Sequence, residues 1–182
     1  MAIDARGYVY RTRQRREIPR MARFLTFSCF NRLPLFGNDR IKDLFVQRLG
    51  ATRDGLGFRL LAYVVMPEHV HIVLVPPDEV AVRTILHSLK GPFGRLVIAR
   101  WRQLRAPILE RLAYRGSYAF WLAGGGYDRN EWANTELPEK IRYIHANPVR
   151  RGLVRQAADW AWSSARWYAG DRDGALPMDP IR

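Results

Sequence analysis

The sequence contains a single cysteine, Cys29, in 182 residues. An intrachain disulfide and a cysteine-based zinc site are thereby excluded, and Cys29, in an apolar run, reads as a small core residue. Lysine is nearly as scarce, at Lys42, Lys90 and Lys140. No Gly-Lys-Ser/Thr follows the glycine run Gly124–Gly126, which therefore reads as a flexible loop and not as a phosphate cradle. There is no apolar run of membrane-spanning length, and the polar, arginine-rich start has no leader-peptide character. A cytoplasmic protein is expected. Acidic residues are also few: 17 Asp and Glu face 30 Lys and Arg, a formal net charge of +13. Such an excess points to a polyanion, nucleic acid first, although a general preference for arginine over lysine would produce part of it.

What is present suffices for one folded domain, since 48% of the residues are hydrophobic and 12% aromatic. Residues 1–23 carry seven arginines, Arg13, Arg15 and Arg16 among them, without sustained periodicity; they read as a basic arm that contacts DNA or is merely solvated. Strands are predicted over 23–30, 58–66, 70–75 and 115–122, with Pro67 and Glu68 turning the second into the third. A helix starts at Asn38 or Asp39, carries Ile41, Leu44, Phe45 and Leu49 on one face, and stops at Gly55 and Gly57. Another opens near Asp78, is interrupted at Gly91-Pro92 and resumes through Trp101. Its surroundings hold Lys90, Arg95, Arg100 and Arg102, with Trp101 among them, a pattern suited to a nucleic-acid strand and equally to a solvated helix face. A further helix follows Glu136, with Pro138 in its first turn and Pro148 closing it. The tryptophan-rich stretch 158–168 reads as a packing element. The order β-α-β-β-α-β predicts an α+β fold, a ferredoxin-like antiparallel sheet with covering helices.

Two short stretches carry the chemistry. In Met66–Leu74 (MPEHVHIVL), a strand turns His69 and His71 to one face and Val70, Ile72 and Leu74 to the other. Paired imidazoles suit a divalent metal better than a hydrophobic core, though a pair on a sheet surface would share the spacing. In Glu139–Pro148 (EKIRYIHANP), Tyr143 and Asn147 are four apart and lie about 40° apart around a helix. If that helix crosses the histidine strand, Asn147 supplies a third metal ligand and Tyr143 stands beside the ion. Its position before Pro148 weakens the case for Asn147 as a helical residue. His145 points away from both and reads as structural.

Tyr63–Leu74 (YVVMPEHVHIVL) resembles the signature of the single-tyrosine HUH transposases. Arg142–Val154 (RYIHANPVRRGLV), Asp159–Ser164 (DWAWSS) and Phe120–Asn130 (FWLAGGGYDRN) resemble motifs of their REP-associated tyrosine transposase branch. The resemblance covers about Phe24 to Tyr168. It implies the HUH endonuclease fold over 24–168 between the basic arm and a tail at 169–182, a metal (Mg²⁺ or Mn²⁺) at His69 and His71, and a nucleophile at Tyr143. It also implies a single-stranded or hairpin DNA substrate, as in a nucleoid-associated enzyme. Two departures are Glu68, where the family often has Asn, and Leu122, where it often has Gln; the first assists the metal or sits in the turn, the second bears on a polar DNA contact.

A free tyrosine, with a pKa of about 10, is only about one part in a thousand phenolate at neutral pH, so its attack needs a polarised phosphate. Tyr143 attack would give a 5′-phosphotyrosine and a free 3′-hydroxyl, conserving the phosphodiester energy for a rejoining step. Three alternatives stand beside this: another HUH nuclease such as a replication initiator or relaxase, a non-catalytic hairpin-binding regulator, and a metal phosphohydrolase without a covalent intermediate. Both a homodimer and a monomer are compatible with the sequence.

Overall fold

The computed structural model describes residues 2–3, 9–10, 21–123, 127–129, 136–173 and 176–181. Arg13, Arg15, Arg16 and Gly124–Gly126 lie outside them. A short antiparallel pair, β1 (Ala2–Ile3) and β2 (Val9–Tyr10), precedes the main unit. That unit is built from β3 (Arg23–Ser28), α1 (Asp39–Leu56), β4 (Arg59–Val65), β5 (His69–Val75) and α2 (Val82–Gln103). There follow α3 (Ile108–Leu112), a hairpin of β6 (Ala113–Tyr114) and β7 (Ser117–Tyr118), β8 (Tyr127–Arg129), α4 (Leu137–His145), α5 (Asn147–Arg150) and α6 (Ala165–Tyr168). The four-stranded sheet runs β4-β5-β3-β8, every pairing antiparallel. This is the ferredoxin-like order expected from β-α-β-β-α-β. The fourth strand, however, is β8 and not the predicted 115–122. Arg115 and Gly116, both at positive φ, fold that stretch into the tight β6–β7 hairpin instead.

The sheet is buried on both faces. Leu25 and Phe27 of β3, Leu60, Tyr63 and Val65 of β4, and Val70, Ile72 and Leu74 of β5 face Phe45, Val46 and Leu49 of α1 and Val82, Ile85, Leu89 and Phe93 of α2. Phe24, Leu61, Ala62, Val64, Val73 and Val75 face Leu137, Ile141 and Ile144 of α4 and Trp160. A register shift between Leu60 and Ala62 lets Leu61 and Ala62 join the same face, breaking the alternation of β4. Asn38 caps α1 by accepting the Arg40 N–H, and Gly57 ends it in the left-handed conformation.

The outer edge of β4 is covered by the C-terminal residues. The Val65 N–H donates to the Trp162 carbonyl at 2.9 Å, Trp160 Nε1 donates to the Val65 carbonyl at 3.0 Å, and the Asp179 N–H donates to the Leu60 carbonyl at 2.9 Å. The tryptophan-rich stretch is thus a packing element, as predicted. Residues 176–181 are docked as well, with Met178 in the core.

The two interior prolines have different outcomes. Pro92 does not interrupt α2, which runs continuously through it. A proline cannot donate to the carbonyl four residues back; here that is Ser88, and Arg48 Nη2 of α1 donates to it at 2.7 Å. Pro148 does close α4, which ends at His145, and it sits in the first turn of the short α5. Its orphaned carbonyl is that of Ile144, which receives Asn147 Nδ2 at 3.2 Å. Arg48→Ala is therefore expected to cost about 1–3 kcal/mol in chemical denaturation. In a Pro92→Ala background, which restores the N–H, that cost should fall by about 1 kcal/mol. Equal costs in the two backgrounds would show that Arg48 does not act through the Ser88 carbonyl.

Candidate active site

Strand β5 is paired on both sides, so its pleat alone decides where its side chains go. Val70, Ile72 and Leu74 enter the α1–α2 core, and His69 and His71 project to the α4 side. Their Nε2 atoms face each other at 3.0 Å. Two histidine nitrogens bound at about 2.1 Å at right angles to one another are separated by about 3 Å, so the pair fits a shared divalent cation.

The other nitrogen of each ring is engaged. His69 Nδ1 donates to Glu68 Oε1 at 3.1 Å, and His71 Nδ1 lies 2.7 Å from Thr26 Oγ1, directly across the β3–β5 register. A carboxylate only accepts, so Nδ1 of His69 carries the proton and its Nε2 keeps the lone pair. In the metal-free chain His71 Nε2–H donates to that lone pair and the Thr26 hydroxyl donates to Nδ1. To hold a cation through Nε2, His71 would take the opposite tautomer, its Nδ1–H donating to Thr26.

Electrostatics keep both rings neutral. Burial lowers the pKa of His71 to about 3, with the neighbouring His69 adding to the effect. Burial also lowers that of His69, opposed by the Glu68 carboxylate. Burial of Glu68 itself raises its pKa, but the hydrogen bond from Arg151 and the nearby His69 outweigh this, and it stays ionised. Neutral imidazole is the form that binds metal.

Tyr143 is brought to the same place by α4, which packs Ile141 and Ile144 on the sheet and leaves Tyr143 45% exposed. Its ring centroid is 6.4 Å from that of His71, at 68°. The predicted meeting of the tyrosine helix with the histidine strand is therefore realised within one chain. Asn147 lies beyond the end of α4, and its Nδ2 donates to the carbonyls of Tyr143, at 3.0 Å, and Ile144. It caps the α4–α5 corner. His145 turns into the interior, its Nε2 2.8 Å from Ser164 Oγ, and burial lowers its pKa to about 4.

The α2 residues go elsewhere. Helix α2 covers the opposite face of the sheet, so Arg95, Arg100 and Arg102, all exposed, are a layer away from the histidines. Trp101 is half-buried and stacks on Phe120 at 5.7 Å, while Lys90 Nζ lies 5.3 Å over the Phe27 ring. Leu122 is exposed and its N–H donates to the Ser28 carbonyl.

Three contributors were not legible as such. Thr26 joins the site through strand register. Arg150 lies with its guanidinium carbon 5.0 Å from the Tyr143 ring centroid, and Arg151 Nη1 donates to Glu68 Oε1 at 2.7 Å. Among the described residues no cluster of three or more His, Cys, Asp or Glu could hold a metal. No helix among the described residues is long and apolar enough to cross a membrane.

Residues 20–132 match the family model of IS200-like transposases. Across 149 residues the chain is 28% identical to a Haemophilus influenzae protein assigned as a REP-associated tyrosine transposase, covering 78% of this chain and 77% of that one. It is 26% identical over 127 residues to the REP-associated tyrosine transposase of Escherichia coli K12, spanning 68% of this chain and 61% of that relative. A solved structure of a REP-associated tyrosine transposase bound to a REP hairpin superimposes with a TM-score of 0.67 at 19% identity. The match covers 96% of this chain and 89% of that one and carries the fold.

Because the folded chain keeps His71 and His145 neutral, the unfolded chain takes up protons below about pH 6.5 that the folded one refuses. Stability is therefore full above pH 6.5 and falls as the pH drops toward the folded values near 4 and 3. Urea denaturation without metal should give a flat response from pH 8 to 7. Between pH 6 and 5 each of the two histidines should contribute a loss of about 1 kcal/mol per pH unit, shallower overall in His145→Gln. A flat profile down to pH 5 would show that neither histidine is held neutral by the fold.

Proposed function

This chain belongs to the IS200-like transposase family, and we propose that it cleaves and rejoins single-stranded or hairpin DNA through Tyr143, with a divalent cation held by His69 and His71. The observation that carries this is the juxtaposition, in one chain, of an exposed tyrosine 6.4 Å from the ring of a neutral histidine whose Nε2 lies 3.0 Å from that of a second. The structural match to a REP-hairpin complex supports the fold in which such a site is built.

The roles follow from the side chains. His69 and His71 hold the cation, oriented by Glu68 and Thr26, and Asn147 Oδ1 is a candidate third ligand once its amide nitrogen is committed to the α4 carbonyls. Mg²⁺ or Mn²⁺ at this position supplies Lewis acidity toward a phosphoryl oxygen. The Tyr143 oxygen forms a bond to phosphorus as the bond from phosphorus to the 3′-oxygen breaks; the phenol proton leaves and the 3′-oxygen gains one. The product is a 5′-phosphotyrosine and a free 3′-hydroxyl. Attack of a 3′-hydroxyl on that linkage reverses the step and joins DNA. Tyr143 and the His69–His71 pair lie together within one chain, which supports a cleavage step carried out by a single copy.

Wild type incubated with labelled hairpin DNA and Mn²⁺ should form a covalent protein–DNA adduct that survives denaturation. Tyr143→Phe and chelation should each reduce it at least 100-fold, while Tyr143→Phe keeps its DNA affinity. Cleavage persisting in Tyr143→Phe would replace the covalent mechanism with metal-dependent hydrolysis. DNA binding without cleavage by wild type would leave a hairpin-binding regulator.

A further inference from the structure

The two halves of the site come from separate parts of the fold, the histidine hairpin and the tyrosine helix. Two consecutive arginines touch one half each. Arg150 spreads its guanidinium over the Tyr143 ring, 5.0 Å from the centroid. Arg151 donates to Glu68 Oε1 at 2.7 Å, the same oxygen that accepts His69 Nδ1–H at 3.1 Å. Consecutive residues of a helix diverge by about 100°, which is why neighbours can reach two different targets.

The backbone that presents them is well determined. Asn147 Nδ2 holds the α4–α5 corner through the Tyr143 and Ile144 carbonyls. Gly152, at φ 66°, ends α5 immediately after Arg151, with its N–H donating to the Val149 carbonyl, and the Leu153 N–H donates to that of Pro148. The left-handed conformation at Gly152 would strain any residue with a Cβ.

We propose that Arg150 and Arg151 are positioning residues that set the nucleophile and the metal-binding histidines in register, Arg150 by fixing the Tyr143 ring and Arg151 by fixing the Glu68 carboxylate against His69. The proposal deepens the function given above and rests on it. A carboxylate at position 68 has a use that a neutral amide would not: it forms an ion pair with Arg151. The Glu68 side chain is 14% exposed and that of Arg151 is 54% exposed. The bridge therefore contributes little to global stability, and its effect is the orientation of one imidazole. A guanidinium stacked on an aromatic face likewise restricts the ring without touching the hydroxyl, which stays free for the phosphate.

The test separates the two arms and has readouts that do not depend on turnover. In the metal-free protein, histidine ¹⁵N NMR of wild type should show His69 protonated at Nδ1, and Arg151→Ala should give a mixture of tautomers. Calorimetric titration with Mn²⁺ should show about tenfold weaker binding in Arg151→Ala and in Glu68→Gln, with the double variant no weaker than Glu68→Gln alone. Arg150→Ala should leave Mn²⁺ binding and hairpin affinity unchanged. It should convert the Tyr143 χ1 couplings from a single rotamer to an average and slow single-turnover adduct formation about tenfold, with partial rescue in Arg150→Lys. Wild-type tautomer and Mn²⁺ affinity in Arg151→Ala would overturn that arm. Unaveraged Tyr143 couplings in Arg150→Ala, or a loss of DNA affinity matching its loss of rate, would overturn the other. Should wild type form no adduct, the function proposed above fails, while the tautomer and rotamer readouts still decide this one.

Discussion

The pleat of β5 is the constraint on which the rest depends. Seven residues, His69 to Val75, are paired on both sides and covered on both faces. Every second side chain is therefore committed to one of two environments. The aromatic core under α1 and α2 takes Val70, Ile72 and Leu74, which leaves the histidines facing α4. A slip of one residue would bury both imidazoles among Phe27, Phe45 and Phe93 and send the aliphatic residues to the other layer, losing the packing and the site together. The same register sets Thr26 across from His71 and Ser28 across from His69, so the strand that completes the core also supplies a hydrogen bond to the site.

A second device recurs at the two interior prolines. Each proline leaves a carbonyl without its helical donor, and each time a side chain answers: Arg48 for Ser88, Asn147 for Ile144. In α2 the outcome is a helix long enough to cover the sheet. At α4–α5 the chain instead turns a corner, and the corner is what sends Arg150 back over Tyr143 and Arg151 toward Glu68. One local problem thus has two structural results, according to whether the donor comes from a neighbouring helix or from the residue beside the proline.

The basic charge is distributed over both layers and does not by itself mark the site. The exposed arginines of α2 lie on one face of the fold, whereas Arg142, Arg150 and Arg151 belong to the face that carries Tyr143. What singles out the α4 side of the sheet is burial of polarity: two neutral imidazoles in an apolar setting, satisfied by a hydroxyl and a carboxylate. Phe24, 5.4 Å from His71, forms part of that apolar wall.

Much of this was legible in the residues. Alternation in the β5 stretch placed the histidines on one face, helical spacing located α1 and α4, and the element order gave the sheet type. The misassignments were of one kind. The stretch 115–122 has strand-forming residues but was claimed by a two-residue turn, and Pro92 looked like a break because its rescuer is 44 positions away in sequence. Local composition encodes what a backbone segment prefers and which of its faces is apolar, and those preferences determined the strands, the helices and the pairing of His69 with His71. The approach of Tyr143 to that pair, the Thr26 and Glu68 hydrogen bonds and the reach of Arg150 and Arg151 were decided only by the tertiary structure, because each depends on register and packing between segments that no local preference specifies.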